Sequence, residues 1–538
     1  MKLRAALLLL PLAACTQSGG GSRILHTGET ITTPTTWSGD HELSGYLYVQ
    51  STLTIDACSN IFVGQDVNIE VQDGGAIVAV GRADCPITFD SAKLSPSPGD
   101  WGAINVYSSA SASSAFDHVI FKNGGGAGNY GLVWLQEGGT LSKLDNSTFD
   151  GVRGDAVQLE DNITIGSFVS NTFSHVSGDL VSVYAAAVDN LSAVIVADQT
   201  DPRISLRGTS TEAATWKDLG VPYFVDSPLY VKGGTVTLAA GSEFRLGADV
   251  SFEVTEQGGL IADGTATDPV ILTSAKASPA AGDWRGLWIY SDANNDNALR
   301  HTEVRFGGGG EYGAIWLQEG ATFSMTDSLV ASSASDGLRA EPGAIIGTFT
   351  GNSFDAIGDF AIQAGANNVA AISPITVTNT AAATVRIIGT LTDAATWEDL
   401  GVPMTIQSGT YIQAPLTIEA GADFLMEPDA AFEVSTGGQL TINGTETDRV
   451  TFSSSKSAPA AGDWRGIWVY ADSAGAALHF TTIRHGGSDD YGQFWIQDGA
   501  SASFENVIFE EARVCDVDEE VAGALTTDTA SVFTTCPI

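Results

Sequence analysis

The chain has 538 residues, 43% of them apolar, so it is too long for one ordinary compact core and too apolar for wholesale disorder. Lys and Arg number 24 against 64 Asp and Glu, a formal charge of −40. A surface this anionic repels phosphate backbones and anionic headgroups, which excludes nucleic acid as a partner. It suits cationic partners, a salty medium or plain solubility, and calcium is the one cofactor the composition would accommodate.

In chain order, the first element is a secretory signal. Lys2 and Arg4 form a short basic region, and Ala5 to Leu12 is an apolar run too short to span a bilayer. It ends in Leu12-Ala13-Ala14-Cys15, which resembles the lipobox of bacterial lipoproteins. The resemblance implies removal of residues 1–14 and acylation of Cys15. Several acyl chains then give stable anchoring, at about 0.8 kcal/mol per buried methylene. Thr16 stands where that family carries Asp for inner-membrane retention, so the implied address is the outer membrane, facing the periplasm or the exterior, with its lipid as the first partner. Residues 15–30 hold the anchor and, with Gly19-Gly20-Gly21, a flexible tether.

Residues 31–538 are repetitive, in units of about 180 residues (31–210, 211–391 and a shorter 392–538). Gly-Asp-Trp recurs at Gly99–Trp101, Gly282–Trp284 and Gly462–Trp464. Thr-Trp-Lys-Asp-Leu-Gly-Val-Pro at Thr215–Pro222 returns at Thr396–Pro403 with Glu for Lys, and Trp37 takes the same place in the first copy. Tyr-Gly-x-x-Trp-[Leu/Ile]-Gln occurs three times, around Trp134, Trp316 and Trp495. Inside each unit runs a finer period. Leu416-Thr-Ile, Phe424-Leu-Met, Phe432-Glu-Val and Leu440-Thr-Ile start eight residues apart, alternating apolar and polar, with Gly and Asp turn signals between them. Three such strands make a coil of about 24 residues, the size of one turn of a β-solenoid. The predicted fold class is all-β, a right-handed parallel β-helix of about 21 coils; tandem β-sandwiches are the rival.

After Cys15 four cysteines remain, and an even number in an exported chain implies disulfides. Cys58 and Cys85 align with Gly241 and Asp268, both turn positions, about one coil apart; Cys515 and Cys536 are also about one coil apart. Stacked coils lie roughly 4.8 Å apart, within disulfide reach. Cys58–Cys85 and Cys515–Cys536 would each staple neighbouring coils near one end, where unpaired strand edges fray.

Leu416-Thr-Ile-Glu-Ala-Gly, Gly438-Gln-Leu-Thr-Ile-Asn-Gly-Thr, Arg449-Val-Thr-Phe-Ser-Ser and Gly462-Asp-Trp-Arg-Gly-Ile resemble the repeats of bacterial right-handed parallel β-helix surface proteins. Asn171-Thr-Phe and Asn352-Ser-Phe resemble that family's stacked-turn asparagines. The resemblance covers most of residues 31–538 and implies the fold; the same fold also carries polysaccharide lyases and hydrolases, so it leaves activity open.

No motif marks a catalytic site or a metal site. The Asp of Gly-Asp-Trp appears in every unit, which fits turn capping better than a single converged catalytic cluster. His118 and His301 share a repeat position that is Phe480 in the third unit, which does not suit a base. Asp516, Asp518, Glu519 and Glu520 read as a solvated turn. The informative surface feature is aromatic. Strand alternation turns Leu287 and Ile289 inward and Trp288 and Tyr290 outward, with Asn105 at the same outward site in the first unit. Trp468 and Tyr470 repeat this, and Trp316 and Trp495 follow one coil later, with Gln493 and Gln497 sharing the parity of Trp495. Arg339 falls one coil beyond Trp316. The expectation is an exposed aromatic column on the same face in successive units, gripping glycan, with Arg339, Gln318 and Gln497 as hydrogen-bonding neighbours. The competing expectation is that the loops at Gly307–Gly310 and Gly486–Asp490 fold over the tryptophans. The favoured function is a non-enzymatic, lipid-anchored envelope protein that binds or adheres to polysaccharide or a surface protein. The alternatives are a β-helix lyase or hydrolase and a structural spacer.

Overall fold

A computed structural model describes residues 22–126, 128, 130–310, 312–487 and 490–536. The signal segment 1–14, Cys15 and the start of the tether lie outside the described residues. The chain winds into a right-handed parallel β-helix of about 20 turns. At about 4.8 Å per turn the rod is about 100 Å long. Apart from short 3-10 turns at Ala185–Asn190 and Ala366–Ala371, the regular structure among the described residues is strand. None of the described helices is long and apolar enough to cross a membrane.

Each coil carries three short strands on three faces. In the first repeat these faces are exemplified by Asn60–Val63, Ile69–Val71 and Ala76–Val80. The alternating pattern of the sequence becomes an inward aliphatic file at each face. Val49, Val71, Val106, Leu135, Leu159 and Val183 stack in register over six coils and are buried. An aromatic file runs beside it: Phe89, Phe121, Phe149 and Phe173 stack with ring centroids 5.6, 4.9 and 5.0 Å apart. Each such pair contributes about 0.5–1.5 kcal/mol beyond its burial.

The repeated motifs are corner devices. Trp101, Trp284 and Trp464 are wholly buried and donate Nε1–H to the carbonyls of Lys122, Arg305 and Arg484 at 2.7, 2.8 and 2.9 Å. The preceding Asp caps the loop before it, as expected. Asp463 accepts from the Ser454 hydroxyl, the Lys456 ammonium and the Ala460 amide at 2.7, 2.7 and 2.8 Å, and Asp100 and Asp283 repeat the arrangement. Asn171 and Asn352 accept from the amides of Ser147 and Ser328 and donate to the carbonyls of Leu144 and Met325, tying each turn to the coil below. His118, His301 and Phe480 share a left-handed corner, at φ 50°, 42° and 44°, so their common position is a turn position. Both disulfides form as expected, Cys58–Cys85 and Cys515–Cys536, with Cα atoms 4.8 and 5.0 Å apart.

The acidic cluster near Asp516 differs from expectation. Asp516 is buried, accepting from the amides of Thr534 and Thr535 and from Gln493 Nε2, and it anchors the last coil beside the second disulfide. Gln493 is buried too, because it precedes the strand Phe494–Ile496 and turns in to hold Gly486 N–H.

The repeats are not stacked face upon face. The long strand Ile204–Ser210 passes under two faces at once: Ile204 and Ser205 pair with Tyr223 and Phe224, while Gly208–Ser210 pair with Leu229–Val231. The outward column that starts at Tyr48 therefore runs Glu70, Asn105, Trp134, Gln158, Ser182, Ser205, Phe224. Its counterpart in the second repeat, Tyr230, lies on the next strand along the chain. One repeat is thus seven turns plus one strand. The second junction does the same: Tyr230 leads over seven steps through Arg386 to Thr405, and the third column starts one strand later at Tyr411.

Candidate functional site: three aromatic ladders

Sequence parity placed Trp288, Tyr290, Trp316 and Arg339 together, and the structure does bring them together. Tyr230, Glu253, Trp288, Trp316 and Arg339 stand in register on five successive coils. The third repeat builds Tyr411, Glu433, Trp468, Trp495 and Asp518 in the same way. The first repeat has Tyr48, Glu70, Asn105, Trp134 and Gln158. The rings lie outside the core: Trp468, Trp495, Ala431 and Tyr470 form a patch separate from the main hydrophobic cluster.

Two parts of the expectation are corrected. First, the tryptophans face outward but are not exposed. Trp288, Trp316 and Trp468 are each 8% exposed and Trp495 is 5%. The tyrosine that opens each Tyr-Gly-x-x-Trp motif folds back over them. Tyr312 packs on Trp316 at 4.6 Å and on Trp288 at 5.6 Å; Tyr491 packs on Trp495 at 4.9 Å and on Trp468 at 5.7 Å; Tyr130 stacks on Trp134 at 4.4 Å. The two tryptophans of a ladder meet edge to face, at 6.2 Å and 6.0 Å. Second, the ladders of the second and third repeats do not share a face, because of the extra strand in each repeat. The face of Trp288 and Trp316 continues upward as the strands holding Phe424 and Phe452.

What remains accessible is tyrosine, beside carboxylates that are half-buried at Glu253 and Glu433 and buried at Glu70. Tyr48, Tyr130, Tyr312, Tyr411 and Tyr491 are exposed, and Tyr230 is half-buried. Between them lies one glutamate per ladder. Tyr470 donates its hydroxyl to Glu433 Oε2 at 3.0 Å. Burial pushes the Glu433 carboxyl above its ordinary range, partly offset by Tyr470 and Arg465. Tyr107 and Tyr290 hold Glu70 and Glu253 alike, and burial together with that carboxylate pushes each phenol up to about 12. Within the ladders, the indole N–H groups of Trp288, Trp468 and Trp495 are buried with no acceptor among the described residues. Trp134 and Trp316 instead donate to Glu160 and Glu341. Arg339 is engaged with Glu341 at 3.0 Å, and Arg465 lies 5.8 Å over the Trp468 ring. Gln318 and Gln497 accept amides of Ser291 and Ala471, so their carbonyl oxygens already serve the turns. No three His, Cys, Asp or Glu groups converge to hold a metal ion among the described residues.

The glutamates and the outer tyrosines escaped the sequence reading, although their signal was there. The Tyr of the thrice-repeated Tyr-Gly-x-x-Trp motif marks the repeat, and it is also the ring that covers the ladder.

A family model described as a pectate-lyase-like β-helix domain matches residues 29–148 and 208–314. The first stretch spans the first ladder from Tyr48 to Trp134, and the second spans Tyr230 to Trp288. No curated protein and no solved structure matches the chain.

Proposed function

We propose that the chain is a non-catalytic rod, anchored through an acylated Cys15 in the bacterial outer membrane, that holds polysaccharide on its three ladders. One observation carries this reading. Outward positions on a solenoid are free to vary, yet five are identical in all three repeats: Tyr48/Tyr230/Tyr411, Glu70/Glu253/Glu433, Trp134/Trp316/Trp495, Tyr107/Tyr290/Tyr470 and Tyr130/Tyr312/Tyr491. Tyrosine faces flanking a carboxylate suit a sugar, whose ring stacks on the phenol while its hydroxyls donate to the glutamate. The charge of −40 favours uncharged glycans over acidic ones. The test is retention on an array of uncharged and acidic polysaccharides. Tyr130→Ala, Tyr312→Ala and Tyr491→Ala together should weaken retention several-fold per site, at about 1 kcal/mol for each lost aromatic contact. Unchanged retention in that triple variant, or no retention by the wild type, would refute the reading; the second outcome would leave a structural spacer.

A second reading, favoured by the pectate-lyase-like match, is cleavage of the bound chain. Accumulation of unsaturated or reducing ends from an uncharged or acidic polysaccharide, abolished by Glu70→Gln, Glu253→Gln and Glu433→Gln together, distinguishes it from binding alone.

A further inference from the structure

Each repeat winds seven turns and one additional strand, so equivalent ladders land on successive faces. The first stands on the sheet of Leu47–Val49, the second on that of Leu229–Val231, the third on that of Tyr411–Ile412. With three faces per turn, neighbouring ladders are rotated by roughly a third of a turn and separated by about 35 Å along the axis, at about 4.8 Å per coil. Each ladder, from its tyrosine to its Trp134-type rung, covers three coil steps or about 14 Å. A stiff polymer lying along the rod can therefore meet one ladder only; the next lies on another side.

We infer that the protein cross-bridges separate glycan chains, each held by one ladder and the three projecting around the rod. This rests on the proposed glycan reading and adds its valency and geometry. Three ladders on one face would grip a single long chain cooperatively. Three ladders on three faces present sites that one stiff chain cannot occupy together. The ladders also differ at the rung beyond the tryptophan, which is Gln158, Arg339 or Asp518, so the three sites are not chemically identical.

The experiment uses the full chain, with cello-, manno-, laminari- and xylohexaose as short probes and the parent polysaccharides as long ones. Titration calorimetry counts hexaose sites, and light scattering follows clustering of the polymer as the protein ratio is varied. The expected result is three hexaose sites and a bell-shaped scattering curve that collapses in excess protein. Ladders are then disabled in turn through their outer tyrosines, Tyr48 with Tyr130, Tyr230 with Tyr312 and Tyr411 with Tyr491, each to Ala. Far-UV circular dichroism checks the fold, and Glu253→Gln and Glu433→Gln serve as milder variants. A rod with one working ladder should bind one hexaose and lose clustering entirely. Three hexaose sites without clustering by the wild type would overturn cross-bridging while leaving the glycan reading intact. Undiminished clustering by single-ladder rods would do the same. Failure of every hexaose and polymer to bind would overturn both.

Discussion

Asp463→Asn is the perturbation whose consequence is best defined by the structure. The Asp463 side chain is 9% exposed and accepts three hydrogen bonds, including one from the Lys456 ammonium. Burial opposes its ionisation, but Lys456, Ser454 and the Ala460 amide outweigh burial and hold the carboxyl at about 2, against an ordinary 3.8. The drop from 3.8 to about 2 corresponds to at most about 2.5 kcal/mol at about 1.4 kcal/mol per pH unit. Lys456 is 47% exposed and water screens it, which reduces the expected contribution to about 1–2 kcal/mol. The sign follows from the lowered value. The stabilisation is fully present above pH 3.8 and is lost as pH falls through about 2. The neutral amide keeps the loop's shape and removes the charge, so the variant should be weaker than the wild type at pH 7 and should converge with it near pH 2. Urea unfolding followed by tryptophan fluorescence reads the global difference, and hydrogen exchange at the Ala460 amide reads the local one. Equal losses at pH 7 and at pH 2, or no loss at pH 7, would show that the carboxylate charge does not brace this corner.

Further predictions follow from other parts of the rod. Replacing Cys58 and Cys85, or Cys515 and Cys536, by Ser should cost about 3.5 kcal/mol from the chain-entropy model for loops of this length, with faster exchange confined to the coils of that end. Phe149→Ala, in the middle of the phenylalanine file, should cost about 3–5 kcal/mol and expose the neighbouring coils to protease. His175 bridges Asp150 at 2.8 Å and Asp198 at 3.1 Å, and these two hydrogen bonds raise its pKa above the ordinary 6.5. Its contribution is therefore present below pH 6.5 and lost as pH rises through the folded value, opposite in sense to Asp463. An NMR titration of His175 should move down on Asp150→Asn; no movement would discount the pair.

The fold was legible because a β-helix writes its period into local alternation and turns. Leu416, Phe424, Phe432 and Leu440 point inward at eight-residue spacing, and all four are buried. One-coil spacing sufficed for both disulfides. Outward orientation of the tryptophans was legible by the same parity, and their burial under the loops at Gly307–Gly310 and Gly486–Asp490 was one of the two readings the sequence offered; the residue that covers them was not legible. That depends on Tyr312 and Tyr491 crossing back from a loop, a contact that no strand periodicity encodes. The rotation between repeats was also hidden. It requires knowing that Ile204–Ser210 serves two faces in one extended run, whereas a count of residues per unit returns only the near-equal lengths of the copies. Asp516 was misread because an acidic run near a chain end looks solvated until the strand it precedes places it under the final turn.

The glutamates of the ladders bear on whether the columns exist for stability alone. Stability on an outward strand position is well served by a β-branched residue, as Thr237 and Thr441 show on the neighbouring face. At Glu433 a carboxylate beside aromatic rings is a poor choice for that purpose, because burial disfavours its charged form and the rings cannot solvate it; Glu70 instead accepts from the Asn105 amide and Glu253 from the Ser251 hydroxyl. Glu70 is buried, Glu253 and Glu433 are half-buried, and the carboxyl of Glu433 is pushed upward in consequence. Each nevertheless persists, and each is met by a tyrosine hydroxyl from the next coil that satisfies part of its hydrogen-bonding capacity. Meanwhile the rungs around it have drifted, from Asn105 to Trp288 and from Gln158 to Arg339 to Asp518. Retention of this carboxylate in all three repeats, together with the tyrosine and tryptophan rungs and beside two rungs that change, accords with the proposed binding reading. Replacing Glu433 by Thr should accordingly raise the unfolding midpoint while lowering glycan retention at that ladder; a fall in both would make the glutamate a structural member instead.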